Sequence, residues 1–197
     1  MKNKFSEKKI KLKIPPISLL LFLFPFLFER GIFAVTALGA ALIHELGHIF
    51  AASLCRVSIT EITLYPFGAD IRLSSPLRSY KKDVIISAAG AVVNLIAAFF
   101  SFFLPDGELR EWIVASNVVL AVTNLLPIKG LDGGGIFYAL MSGIFSPEKA
   151  EKSLRGLSFL GIFLMWAASV YIFFVANGNP SLFVVACGLF YTVFVRG

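Results

Sequence analysis

Residues 31–54 read GIFAVTALGAALIHELGHIFAASL. At about 1.5 Å per residue, such a helix reaches about 36 Å, enough to cross a hydrocarbon core of about 30 Å. Its ionisable residues all fall in one place, His44-Glu45-Leu46-Gly47-His48. Helix positions i and i+4 lie on one face, so the two imidazoles can grip one zinc ion, with Glu45 beside the metal as general base. These are the 2 histidines of the chain. Ionisable groups inside a span cost a few kcal/mol each, so they usually mark function. The plain alternative is a polar cluster satisfied by neighbouring helices.

The rest of the composition agrees with a lipid setting. Hydrophobic residues make up 57% of the 197-residue chain and charged residues 15%, with 21 Phe and a mean hydropathy of +0.83. Soluble domains are about a quarter charged. A soluble globular protein and a disordered chain are both excluded as readings. Apolar runs at Ile17–Phe28, Gly31–Leu54, Val84–Leu104, Trp112–Leu126, Leu157–Ala176 and Ser181–Val195 predict an all-α polytopic membrane protein. About six transmembrane helices are expected. The first run follows a basic tail, residues 1–14, but no small-residue cleavage site follows it, so it is not read as a signal peptide. The expected organisation is this tail and one membrane-embedded unit, residues 15–197, with no CBS or PDZ domain.

Alternating the spans from a cytoplasmic N-terminus puts all the basic residues inside except Arg30 and Arg110. The short 105–111 loop outside carries Asp106, Glu108 and Glu111. The positive-inside rule thus predicts a multi-pass protein of the cell membrane with both termini cytoplasmic. Topology accounts for the net charge of +6, and nucleic acid loses its motivation as a partner. Cys55 and Cys187 lie far apart in sequence and suggest neither a disulfide framework nor a metal site.

The loop after the zinc helix alternates over Val57–Leu64, breaks at Pro66-Phe67-Gly68 and alternates again over Ala69–Leu73. This predicts a small β-hairpin on the cytoplasmic side. Its edge could take an extended peptide by strand addition, or the hairpin could cap the bundle. Catalytic zinc wants three protein ligands and an open position. With no third His, a carboxylate must serve. Asp70 and Asp83 lie in or beside the basic loop and Asp106 on the opposite side. Asp132 is favoured. It stands in Leu131-Asp132-Gly133-Gly134-Gly135, returns to the cytoplasmic side with the His pair, and its glycines allow close backbone approach. The plain alternative is an Asp-Gly turn. Asn124 and Asn94 are intramembrane amides, each a candidate substrate or oxyanion contact or simple interhelical glue. Gly90 among alanines reads as close helix packing, and Lys129 as an inside-loop cation.

His44-Glu45-Leu46-Gly47-His48, the Gly90-to-Asn94 stretch and Asn124-Leu-Leu-Pro127-Ile-Lys-Gly-Leu131-Asp132-Gly133 together resemble the site-2 proteases, the intramembrane zinc metalloproteases of peptidase family M50. Tyr65-Pro66-Phe67-Gly68 also resembles the family's loop. The resemblance covers roughly residues 15–140. It implies one zinc per chain on His44, His48 and Asp132, with Glu45 as base and Asn124 near the substrate. It looks most like the sporulation branch, whose members release a sigma factor from a membrane-associated precursor. It thus implies a zinc endopeptidase that cuts a membrane-associated protein near the cytoplasmic face. So apolar a chain often needs partners for control, and a regulatory membrane partner is a candidate on that ground alone. The other class considered is a metal-binding transporter or scaffold without hydrolysis. A transporter should carry ionisable residues in several spans, and here they gather in one. A protein that binds a substrate without cutting it is a third reading, against which the intact Glu45 stands.

Overall fold

The computed structural model describes residues 11–13, 31–65, 68–73, 79–175 and 181–195. Strand β1 is Lys11–Lys13. Helix α1, Gly31–Leu54, is followed by strands β2, Ile59–Tyr65, and β3, Gly68–Leu73. Helices α2, Tyr80–Ser101, α3, Glu108–Asn124, α4, Asp132–Ile144, α5, Pro147–Val175, and α6, Ser181–Phe190, complete the order. A π-helical turn, Tyr191–Val195, extends α6.

Three of these helices, α1, α2 and α5, are long and apolar enough to cross a membrane. Helix α3 has 17 residues and α6 has 10, so these two are shorter than a full crossing at about 20 residues. The run 17–28 lies outside the described residues.

Small residues let α1 and α2 meet closely. Ala40, Gly47, Ala51 and Ala52 are buried on α1, and Gly90, Ala91 and Ala98 on α2. A Cβ on Gly47 would lie 2.9 Å from the Ala89 carbonyl oxygen and 3.1 Å from the Gly90 Cα. Hydrocarbon gives apolar helix faces no reason to leave lipid, so such contact comes from packing and interhelical hydrogen bonds. Residue pairs across α1 and α2 run in opposite directions, as His44 with Asn94 and His48 with Ile86 show. Helix α3 runs parallel to α1: the Phe33 and Trp112 rings meet at 5.1 Å, and Thr36 Oγ1 lies 3.1 Å from Ser116 Oγ.

The strands form one sheet in the order β1-β2-β3. β2 and β3 are antiparallel, with Thr63 opposite Asp70 and Tyr65 opposite Gly68. Pro66 and Phe67, where the turn of the expected hairpin falls, lie outside the described residues. β1 pairs in parallel with β2, Lys11 opposite Glu61 and Lys13 opposite Thr63. The sequence reading treated these lysines as tail. The alternation Ile10-Lys11-Leu12-Lys13-Ile14 carries the two-residue period of a strand, but its lysines also serve the topology argument, which hid the pattern.

The segment 127–156, expected as a loop, is largely helical. It holds all of α4 and the first turns of α5. Pro147 opens α5, where a missing N–H costs nothing, and Ser146 Oγ accepts from the Lys149 N–H at 3.4 Å. In helix α4, Asp132 is followed by three glycines, poor helix formers. Their value is clearance. A Cβ on Gly133 would collide with the Leu125 and Leu126 carbonyls, and one on Gly134 with the Ile128 carbonyl. Their backbone is helical, and the positive φ of the region belongs to Gly130, at 97°.

Candidate metal centre

α1 presents His44 and His48 on its buried face, 4% and 7% exposed. Both ring Nδ1 atoms point away from each other's metal-facing side and are engaged. His48 Nδ1 lies 2.7 Å from the Ile86 carbonyl oxygen on α2. His44 Nδ1 lies 2.6 Å from Asn94 Oδ1 on the same helix. Both Nε2 atoms turn to one oxygen, Asp132 Oδ2, at 2.9 Å from His44 and 3.1 Å from His48. Gly90 makes room for this. A Cβ there would lie 2.5 Å from His48 Nε2 and 2.7 Å from His44 Nε2.

Asp132 reaches the pair because the chain between α3 and α4 folds back tightly. The Leu131 N–H donates to the Ile128 carbonyl at 3.0 Å. The intervening Gly130 takes the positive φ that a type II turn requires at that position. Asp132 then opens α4, where a carboxylate also meets the positive end of the helix dipole. Two contacts hold the turn against α5. The Lys129 N–H donates to Ser158 Oγ at 2.8 Å, and Lys129 Nζ lies 2.8 Å from Glu151 Oε1. Ile128, 1% exposed, plugs into the cluster of Ile162, Met165, Ala186, Leu189 and Val193. Lys129, read in sequence as a plain loop cation, is therefore part of the anchor.

The donor atoms of His44, His48 and Asp132 all lie within 4.8 Å of one another, close enough to share a metal ion. Each Nδ1 faces an oxygen that can accept its proton, which leaves Nε2 as the nitrogen that would offer a lone pair to a cation. Two lone pairs and a carboxylate oxygen so close repel unless a cation or a proton lies between them. Two imidazole nitrogens and one carboxylate are a fitting set for zinc with a fourth position open. Glu45, half-buried, follows His44 on the flank of the same helix.

The other candidates fall elsewhere. Asn124 is the last residue of α3, and its Nδ2 donates to the Leu120 carbonyl at 3.1 Å. Among the described residues its amide makes no hydrogen bond to the His–Asp cluster. Asp83 lies in the first turn of α2, and Asp106 pairs with Arg110. Sequence reasoning left Asn94 open and missed Asn117. Asn117 is 2% exposed and its Oδ1 accepts from Asn94 Nδ2 at 2.7 Å. An amide in an apolar span marked Asn117 as worth notice, but nothing in the sequence named its partner.

The chain is similar in sequence and fold to known proteins. Over 119 residues the chain is 30% identical to Rip3 of Mycobacterium tuberculosis, covering 55% of this chain and 30% of that one. Over 117 residues it is 29% identical to Stage IV sporulation protein FB of Bacillus subtilis, covering 56% and 41%. The chain thus spans less than half the length of these curated relatives. The solved site-2 protease from Methanocaldococcus jannaschii superposes with a TM-score of 0.67 at 21% identity, over 91% of this chain and 87% of that one. That likeness shows a shared fold. The profile of peptidase family M50 matches residues 32–105 and 107–168, more than half of the sequence, with His44, His48 and Asp132 inside the match: the chain belongs to peptidase family M50.

Proposed function

We propose that the protein is an intramembrane zinc endopeptidase. The observation that carries this reading is the convergence of His44 Nε2, His48 Nε2 and Asp132 Oδ2, with both Nδ1 atoms bonded behind them. A zinc ion there supplies Lewis acidity toward water and toward a peptide carbonyl. His44, His48 and Asp132 hold it. Glu45 takes a proton from the attacking water as its oxygen adds to the carbonyl carbon. It returns that proton to the leaving nitrogen as the C–N bond breaks. Asn124 is assigned to the substrate side on the strength of the family motif alone.

Membership of the family and three membrane-length helices support a multi-pass membrane protein. Charge placement supports six spans and cytoplasmic termini. On that topology the substrate is a membrane-associated protein cut near the cytoplasmic face. A sigma-factor precursor as substrate rests on the family resemblance and on the likeness to a sporulation protein, and control by a membrane partner on the apolar character of the chain. The β2–β3 hairpin is read as holding the substrate extended, because a helix hides its carbonyls in hydrogen bonds.

The test is to co-express tagged membrane proteins of the host with the wild type or Glu45→Gln. Both should purify with zinc. Cleavage should fall by at least about 10²-fold in the variant. A Glu45→Gln protein that cuts at the wild-type rate would sink the mechanism.

A further inference from the structure

Behind His44, on the side away from Asp132, two buried carboxamides form a chain that ends on backbone carbonyls. Asn117 Nδ2 donates to the Ile113 carbonyl at 2.9 Å. A carbonyl can only accept, so the NH₂ of Asn117 must face it and Oδ1 must face the other way. There Oδ1 accepts from Asn94 Nδ2 at 2.7 Å. The second hydrogen of that NH₂ goes to the Ala40 carbonyl at 3.0 Å. Both hydrogens of Asn94 are then spent. Its Oδ1 is left to face His44 Nδ1 at 2.6 Å. That oxygen can only accept, so Nδ1 carries a proton, and Nε2 is the nitrogen left to offer a lone pair to a metal ion.

We propose that Asn117 and Asn94 are positioning residues: their amide chain holds His44 in the tautomer whose Nε2 can ligate a metal. The inference rests on the zinc reading above. Its force lies in the directionality. Without the Asn117 acceptor, one hydrogen of Asn94 has no partner and the amide gains a reason to flip. A flipped Asn94 presents NH₂ to Nδ1, which favours a proton on Nε2 and blocks the ligand atom. His48 is insulated from this failure, because a backbone carbonyl, that of Ile86, accepts from its Nδ1. The two histidines of one motif are thus held by different means. One depends on side chains from two other helices, the other on main chain.

The experiment is zinc affinity by chelator competition on detergent-purified Asn117→Leu, with cobalt(II)-loaded protein examined by proton NMR. Zinc affinity should fall by about 10- to 100-fold, the usual loss when a partner behind a metal ligand is removed. Loaded wild type should show two exchangeable, strongly shifted imidazole N–H signals. The variant should lose or shift that of His44 and keep that of His48, a selectivity that general loosening would not give. Asn117→Ala removes the same acceptor without added bulk and serves if the leucine variant does not fold. Unchanged affinity with both N–H signals unmoved would overturn the proposal, as would equal loss or shift of the His44 and His48 signals. If the wild type bound neither metal, the zinc reading itself would fall. If it bound zinc and ignored Asn117, only the amide chain would fall.

Discussion

The molecule holds its two buried clusters, one polar and one apolar, by different physics. Around His44 and His48 the contacts are directional. Amides, imidazoles and backbone carbonyls meet at 2.6–3.0 Å, and glycines stand where any side chain would intrude. Around Ile128 the contacts are apolar and adaptable. Ile162, Met165, Leu189 and Val193 fill the space, and Trp166 stacks on Phe190 at 5.4 Å. The first region fixes the direction of each imidazole. The second only has to keep a turn in place. Yet the turn carries Asp132, so the carboxylate that meets both imidazoles is placed by an apolar clamp.

The sharpest way to break the comparison is one methyl group in each region. Gly90→Ala puts Cβ against the metal-facing nitrogens of two rings whose other nitrogens are already bound. Zinc affinity should fall by more than about 100-fold with helix content unchanged by circular dichroism. Gly161 also lacks room, but its near neighbour is the Ile128 side-chain tip, at 2.8 Å from Cδ1, which can rotate. Ile128→Ala should come next in effect. It should lower resistance to SDS unfolding by about 2–5 kcal/mol, and zinc should weaken only as the turn loosens. Gly161→Ala should cost less than about 3 kcal/mol in the same titration and leave zinc bound. The smallest effect belongs to Lys129→Met. It removes a partly exposed ion pair with Glu151 worth up to about 1 kcal/mol. If Gly90→Ala kept full zinc affinity while Gly161→Ala lost it, the contrast would be inverted.

The sequence showed this division unevenly. His44 and His48 could be read together because their spacing matches the helix repeat, and both sit in an apolar run where charge is costly. Asp132 was favoured because it returns to the side of the His pair and its glycines allow close backbone approach, and the structure brings it to both rings. Asn117 could not. Its role depends on which helix faces α2, a matter of packing that no local pattern records. Helix α4 was hidden because its first residues are glycines, which disfavour a helix on propensity. Their lack of a side chain is what lets α4 start against the Leu125, Leu126 and Ile128 carbonyls. β1 was hidden for another reason: its lysines were already explained by topology. Asn124 was assigned from its motif, while its amide bonds its own helix at Leu120.

The most direct measurement is metal content by mass spectrometry of detergent-purified wild type, His44→Ala and Asp132→Ala. About one zinc per chain is expected in the wild type and none in either variant, with all three folded. Full zinc in Asp132→Ala, or none in a folded wild type supplied with metal, would contradict a site built on His44, His48 and Asp132.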